Sequence, residues 1–244
     1  MYSTITPPAA NPAASPSAAA GTSNSQPTRL AGFGALAFVT VVILQNVVRG
    51  SSAPGNGASA SEVVDHFAET RGITFLLVCM FVVSGISLAT FLGGTMRRLA
   101  TSTRPGWAGT GYLGGAGILI LFGVLLASEQ ALSVVAHSDH PDLAAVSALW
   151  ALHNSVFTVL LLFIGIALFG LSRAGVAAGI TPRAFGWLAP IGTVMLAISC
   201  AAGPGIAAGE LGGLFGLGLI GFLIWLAFVA TTGLRLVRRT GVAS

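Results

Sequence analysis

The chain has 244 residues, of which 54% are hydrophobic and only 7% are charged. A soluble domain carries roughly 25% charged residues, so this composition excludes a soluble fold, which could not cover its surface with so few charges. The formal net charge is +4, but the arginines stand in ones and twos at the ends of apolar stretches, with no basic stripe beside them. We therefore expect no nucleic acid as a partner, and the composition predicts an integral membrane protein that has the lipid bilayer as its principal partner.

The first segment, residues 1–28, is rich in Pro, Ala, Ser and Thr and shows no apolar period. This composition predicts a disordered tail. The motif Ala58-Ser59-Ala60 resembles a signal-peptide cleavage site, but it lies about a dozen residues beyond the first apolar run, farther than such sites usually allow. We therefore expect the first apolar run to be retained as a membrane span.

Six segments are apolar and long enough to cross about 30 Å of hydrocarbon as helices of roughly 20 residues. They cover residues 30–49, 72–94, 107–128, 149–171, 185–203 and 212–234. Helices are expected because an isolated strand would leave its backbone polar groups unpaired in lipid. The predicted fold class is all-α, a polytopic membrane helix bundle of six spans over 29–239, followed by a short tail over 240–244.

The charges predict the orientation of this bundle. Nine of the eleven arginines fall in the connections 95–106 and 172–184 or beside the two termini, which should therefore face the cytoplasm. The other two, Arg49 and Arg71, share the opposite side with every side-chain carboxylate: Glu62, Asp65, Glu69, Glu129, Asp139, Asp142 and Glu210. The use of arginine without lysine, with abundant Ala and Gly, is typical of a GC-rich bacterial genome. We predict a bacterial inner-membrane protein with both termini in the cytoplasm.

The first outer connection contains a predicted short helix. Ser59 and Glu62 have the spacing of a capping box, and we expect the helix to run to Arg71, with Gly72 as its stop. Its polar side chains fall on one face and its apolar side chains on the other: Glu62, Asp65, His66 and Glu69 against Val63, Val64 and Phe67. The pattern predicts an amphipathic helix on the outer membrane surface or over the mouth of the bundle.

Other local signals concern the spans themselves. Pro141 and Asp142 suit the first turn of a helix that continues unbroken through Trp150 into the fourth span. Pro190 should kink or open the fifth span. Two small-xxx-small patterns, Gly111 with Gly115 and Gly212 with Gly216, predict close helix packing and are also compatible with a homo-oligomer formed through Gly-rich helix faces.

Two local patterns on the acidic side could contribute ligands to a metal ion. One comprises Asp65, His66 and Glu69 on the short helix, and the other His137 and His140 with the acid between them. A metal site needs several such ligands to converge on one ion, and neither pattern matches a specific signature. The alternative is a solvated acidic surface, and neither pattern leads us to predict a cofactor.

His153 and Asn154 are the strongest candidates for a ligand-binding site. They should lie about one turn into the outer end of the fourth span, where an ionisable side chain is a functional hypothesis by default. The alternatives are a hydrogen bond to another helix or a place at headgroup level beside Trp150. Glu129, at the outer end of the third span, is the expected ionic partner of His153.

The sequence predicts no catalytic residue. It lacks HExxH, a pair of aspartates within spans, paired histidines within spans and any phosphate-binding loop. The leading interpretation is therefore a non-enzymatic membrane protein whose acidic and histidine-bearing outer face senses or binds an ion, a lipid or a partner. The alternative is a small transporter or lipophile carrier with a cavity between spans that opens near Pro190, and an enzyme is the third interpretation.

A few polar residues within the apolar segments make the chain resemble a family of bacterial six-helix integral membrane proteins that carry a domain of unknown function. The residues that carry this resemblance are Trp150-Ala-Leu-His153-Asn154, Gly170-Leu-Ser-Arg173, Pro182 and Trp187. The resemblance covers residues 30–235. It implies six spans with a longer outer segment before the fourth, and it implies no reaction and no active site.

Overall fold

A computed structural model describes residues 26–50, 53–103 and 105–239 of the chain. Within these ranges the chain forms eight helices and no strand, so the predicted all-α class is confirmed. The helices are α1 Gln26–Gly50, α2 Ala60–Glu69, α3 Arg71–Ala100, α4 Pro105–Ala136, α5 Leu143–Ala177, α6 Phe185–Ala201, α7 Gly203–Ala207 and α8 Gly212–Arg239. The predicted tails over 1–28 and 240–244 lie outside the described residues, except for the first three residues of α1.

Five of these helices are long and apolar enough to cross a membrane, and they fit a multi-pass membrane protein. Their candidate spans are Thr28–Gly50, Arg71–Met96, Pro105–Ala136, Leu143–Ala177 and Gly212–Arg238. The remaining apolar helix, α6, has 17 residues. At 1.5 Å per residue it is about 26 Å long, slightly short of the hydrocarbon thickness. It stays helical through Pro190 and ends at a break before Gly203, where α7 begins.

Consecutive long helices run antiparallel, which divides the bundle into two ends. Near one end the hydroxyl groups of Thr95 on α3 and Tyr112 on α4 are 3.4 Å apart. Near the other end the Gln45 side chain on α1 donates to the Leu77 carbonyl on α3 at 3.4 Å. We name this second end the acidic end, because all seven side-chain carboxylates lie on or beside the helix ends and connections that it contains.

Glycine brings α4 and α5 into backbone contact. A Cβ atom at Gly114 would overlap the backbone of Ala167, and one at Gly170 would overlap the backbone of Gly111. The first small-xxx-small pattern therefore packs within the bundle, as predicted. The second does not, because neither Gly212 nor Gly216 has a neighbouring atom within 4 Å of an added Cβ.

The caps of α2 and α5 follow from local sequence. The capping box at α2 is confirmed: the Ser59 amide donates to Glu62 Oε2 at 2.7 Å, and the Glu62 amide donates to Ser59 Oγ at 3.4 Å. At α5, the Asp142 carboxylate accepts from the amides of residues 144 and 145, and the helix continues unbroken through Trp150 as predicted.

The predicted end of α2 is wrong. The helix ends at Glu69, and α3 begins at Arg71, so Gly72 lies in the first turn of α3 and is not a stop. The reason is that Thr70 makes the turn without glycine. Its amide donates to the His66 carbonyl at 3.0 Å, and its hydroxyl donates to the same carbonyl at 2.6 Å.

The apolar face of α2 packs on the acidic end of the bundle. Val63 and Phe67 are buried and form a small hydrophobic cluster with Leu132 on α4 and with Val146 and Trp150 on α5. This cluster is separate from the main core, which lies between the long helices. The helix α2 is therefore a cover over the acidic end, held there by few apolar contacts, while its capping box stabilises the helix itself.

Acid should loosen this cover. The hydrogen bonds from the Ser59 backbone and hydroxyl hold the pKa of Glu62 below its usual range. A lowered carboxyl pKa stabilises the folded helix above the unfolded value of about 4.3, and this stabilisation is lost as the pH falls through the lower folded value. We expect hydrogen exchange across 60–69, corrected for intrinsic rates, to accelerate as the pH falls below about 4.3. Glu62→Gln should abolish this pH dependence, and an unchanged dependence in the variant would contradict the assignment.

Candidate functional site

A buried ion pair joins α1 to α4 at the acidic end. Arg49 lies in the last turn of α1, and its Nη2 atom is 2.9 Å from Oε1 and 3.0 Å from Oε2 of Glu129 on α4. Glu129 is only 5% exposed. A carboxylate so far removed from water must be paired, and the Arg49 guanidinium, whose side chain is 19% exposed, neutralises it.

Arg49 is the site residue that sequence reasoning missed. The sequence identifies it only as one of two arginines on the acidic side and predicts His153 as the partner of Glu129. The structure does bring His153 close, with Nε2 at 3.8 Å from Glu129 Oε1, but Arg49 is much nearer. The sequence signal for the pairing of Arg49 with Glu129 is an arginine at the end of an apolar span on the side that carries the acids.

His153 is oriented by a serine on the neighbouring helix. The Ser128 hydroxyl donates to the Leu125 carbonyl at 2.6 Å, and the same oxygen is 3.3 Å from His153 Nδ1. A carbonyl only accepts, so when the Ser128 proton is used in this bond, His153 Nδ1–H donates to the Ser128 oxygen. In the neutral ring, Nε2 is then an acceptor that faces Glu129 from beyond hydrogen-bonding distance.

Aromatic side chains cover this cluster. The Trp150 ring stacks on the His153 ring, with centroids 4.9 Å apart and an angle of 9° between the planes. Phe67 of α2 meets Trp150 edge-on at 6.4 Å. Trp150 is 8% exposed. The predicted association of Trp150, His153 and Glu129 is therefore present, and α2 shields it.

Asn154 makes different contacts from His153. Its side-chain amide donates to the Asn56 carbonyl at 3.1 Å, and the Asn56 side chain donates in turn to the Ile206 carbonyl at 3.3 Å. These two bonds fasten the segment before α2 to α5 and α7. Asn154 therefore holds the cover in place and is not among the residues that line the cavity beside His153.

A small cavity, which we name the polar cavity, lies beneath α2. Its volume is about 40 Å³, and its lining includes Arg49, His66, Glu129, Trp150 and His153. Two of the lining residues carry a buried N–H group, Arg49 Nε and Trp150 Nε1, for which the described part of the chain supplies no acceptor. Buried donors of this kind are rare because each costs free energy when left unpaired.

A second cavity, which we name the apolar cavity, lies between α1, α4, α5 and α8. Its volume is about 90 Å³. Phe38, Val42, Asn46 and Arg49 line it from one face of α1, spaced so that Asn46 and Arg49 come at the acidic end. Neither Pro190 nor any other residue of α6 contributes to the lining, so this cavity does not open where the sequence suggested. Arg49 lines both cavities and therefore lies between an apolar space and a polar one.

The residues of the metal hypothesis are not brought together. His137 Nδ1–H donates to the carbonyl of Ser133 on its own helix, at 2.7 Å, and His140 is exposed. Asp65 and Glu69 are exposed on α2, while His66 turns partly inward to the polar cavity. Burial lowers the pKa of His66, and the charge of Glu69 opposes this shift. Across residues 26–50, 53–103 and 105–239, no three His, Cys, Asp or Glu side chains are placed to hold a metal ion.

Fold and site together define a multi-pass helical membrane protein with a charge-paired polar cluster at one end and an apolar cavity that shares Arg49 with this cluster. No family model, curated protein or solved structure matches the chain. The resemblance to bacterial six-helix proteins therefore stays a prediction.

Proposed function

We propose that this protein binds a single-chain amphiphile within the bacterial inner membrane. In this proposal the chain crosses the membrane six times, with α6 as the fifth span and both termini in the cytoplasm. The apolar part of the ligand lies between α1, α4, α5 and α8, and its polar end lies beside Arg49. The proposal unites two predictions from sequence, lipid binding at the acidic face and lipophile binding between spans, and it assigns no catalytic residue.

One observation carries the proposal, namely that Arg49 lines both cavities. An apolar cavity that ends at an arginine and an asparagine matches a molecule that is apolar along its length and polar at one end. A cavity lined only by apolar side chains would not select such a molecule from the lipid around it, because lipid tails are equally apolar.

The size of the apolar cavity limits the ligand to one chain. A water-sized group needs roughly 10–15 Å³ of such volume. The 90 Å³ available therefore holds about six to nine methylene-sized groups. This is enough for one alkyl chain of moderate length and too little for the two tails of a phospholipid.

Filling the apolar cavity should remove the ligand. Val42 is 5% exposed and lines the cavity from α1, so we expect Val42→Phe to occupy part of the space that the chain needs. The chain must compete with the new ring for this space, and a loss of about 1.4 kcal/mol of binding free energy corresponds to about tenfold less bound amphiphile per mole of purified protein. The measurement is mass spectrometry of single-chain lipids released from protein prepared in phospholipid nanodiscs.

Two controls make this test decisive. Val47→Phe introduces the same side chain on the same helix at a position that is 65% exposed, and it should leave the bound amphiphile unchanged. If Val42→Phe does not fold, Leu219→Trp approaches the cavity from the half-exposed face of α8, with Leu223→Trp as its partner outside the cavity. Equal amounts of single-chain lipid in both members of a pair, or none in the parent, would overturn the proposal.

A further inference from the structure

We infer that the polar end of the amphiphile is a compact, uncharged group that both accepts and donates hydrogen bonds, such as a primary carboxamide or a hydroxyl, and that it occupies the polar cavity. This inference rests on the proposed function. It adds the class of head group, which neither the apolar cavity nor the sequence specifies.

Charge excludes the obvious alternative, a fatty acid whose carboxylate binds Arg49. The guanidinium of Arg49 is already neutralised by Glu129 at 2.9 and 3.0 Å. With His66 and His153 neutral, an anionic head would therefore leave one net negative charge in the site, and a cationic head would leave one net positive charge. An isolated charge in such a place is strongly disfavoured, so the site selects an uncharged head.

Size selects a small head. At roughly 10–15 Å³ for each water-sized group, 40 Å³ of cavity holds about three or four non-hydrogen atoms. A carboxamide or a hydroxymethyl group fits this limit. A sugar or a phosphodiester head does not.

The hydrogen-bonding groups that line the polar cavity determine which head groups can pair with them. Arg49 Nε and Trp150 Nε1 are buried donors that need an acceptor. With the Ser128 proton on the Leu125 carbonyl and the ring proton on Nδ1, His153 Nε2 is left as an acceptor. A carboxamide oxygen can receive the two donors while its NH₂ group gives to His153 or to Glu129, and a hydroxyl can do the same with fewer bonds.

The test compares three ten-carbon probes that differ only in charge at the head: decanamide, decanoate and decylammonium. Affinities are measured by native mass spectrometry on the full chain released from nanodiscs. We expect decanamide to bind about tenfold more tightly than either charged probe. Trp150→Phe keeps an aromatic ring on His153 but removes the N–H donor, and it should weaken decanamide binding about fivefold. Trp187→Phe is the matched control, since Trp187 is 81% exposed.

The outcomes separate this inference from the proposed function. If all three probes bind equally and Val42→Phe weakens all of them, the chain site stands and the head-group inference is wrong. Tightest binding of decanoate or decylammonium would also overturn the inference. If no probe binds, or if Val42→Phe changes nothing, the proposed function itself fails. Should Trp150→Phe not fold, the ranking of the three probes on the parent protein decides the question alone.

Discussion

Glu129→Gln should lower the free energy of unfolding by about 3 kcal/mol, because it leaves the charge of Arg49 buried without a counter-charge. This value is at the lower end for a broken buried pair, since the Arg49 side chain remains 19% exposed. The measurement is denaturant or thermal unfolding of the protein in detergent. Arg71→Gln removes an exposed arginine from the same end of the bundle and should change stability by less than about 0.5 kcal/mol.

A double variant tests whether the pair itself is responsible. Replacing Arg49 by Met and Glu129 by Leu removes both charges and keeps much of the volume, so most of the lost stability should return. The interaction energy follows from the double-mutant cycle. Simple additivity of the two single losses, or a Glu129→Gln variant as stable as Arg71→Gln, would contradict the buried pair.

Gly114→Ala should also lower the free energy of unfolding strongly, although it adds only one methyl group. The new Cβ would meet the backbone of Ala167, and backbone cannot move aside as a flexible side chain can. The helices α4 and α5 must then separate, and we expect a net loss of about 2–3 kcal/mol, at the upper end for overpacking. Thermal unfolding of the purified protein measures it.

The matched control for this prediction lies on the same helix. Gly109 has no neighbouring atom within 4 Å of an added Cβ, so Gly109→Ala meets open space. Alanine is the better helix former by about 1 kcal/mol, and the substitution should therefore be neutral or stabilising. Similar losses at both positions would show that α4 and α5 do not pack as closely as described.

The parts of the fold that the sequence predicts are local. Apolar length marks the long helices because each needs enough residues to cross hydrocarbon and to satisfy its own backbone. The capping box at Ser59 and Glu62 and the cap at Asp142 involve residues within three positions of each other. The end of α2 was missed because Thr70 made the turn where a glycine was expected.

The site depends on contacts between distant residues, which no local pattern specifies. Arg49 and Glu129 are 80 positions apart in the chain. They meet because α1, α3 and α4 alternate in direction, which brings the last turn of α1 beside the second half of α4. His153 is recognisable from sequence as a polar residue in an apolar span. Its nearest charged neighbour and its proton position, however, depend on which face of α4 lies against it. The two glycine patterns are also alike in sequence, and only packing shows that Gly111 is in contact and Gly212 is not.

The apolar cavity could not have been located from sequence either. The side chains of α1, α4, α5 and α8 do not fill the space between these four helices, and the cavity is the space that remains. Pro190 was a reasonable marker, since proline removes a backbone hydrogen bond. The structure accommodates it within a continuous helix, and the cavity forms elsewhere.

The central claim is that an amphiphile lies between α1, α4, α5 and α8 with its polar end beside Arg49. A high-resolution cryo-electron microscopy map of the protein in nanodiscs supplemented with decanamide tests it most directly. The account predicts a single elongated density that follows the face of α1 from Phe38 to Asn46 and ends within hydrogen-bonding distance of Arg49. Side chains that close this space, or a ligand whose polar end points away from Arg49, would contradict it.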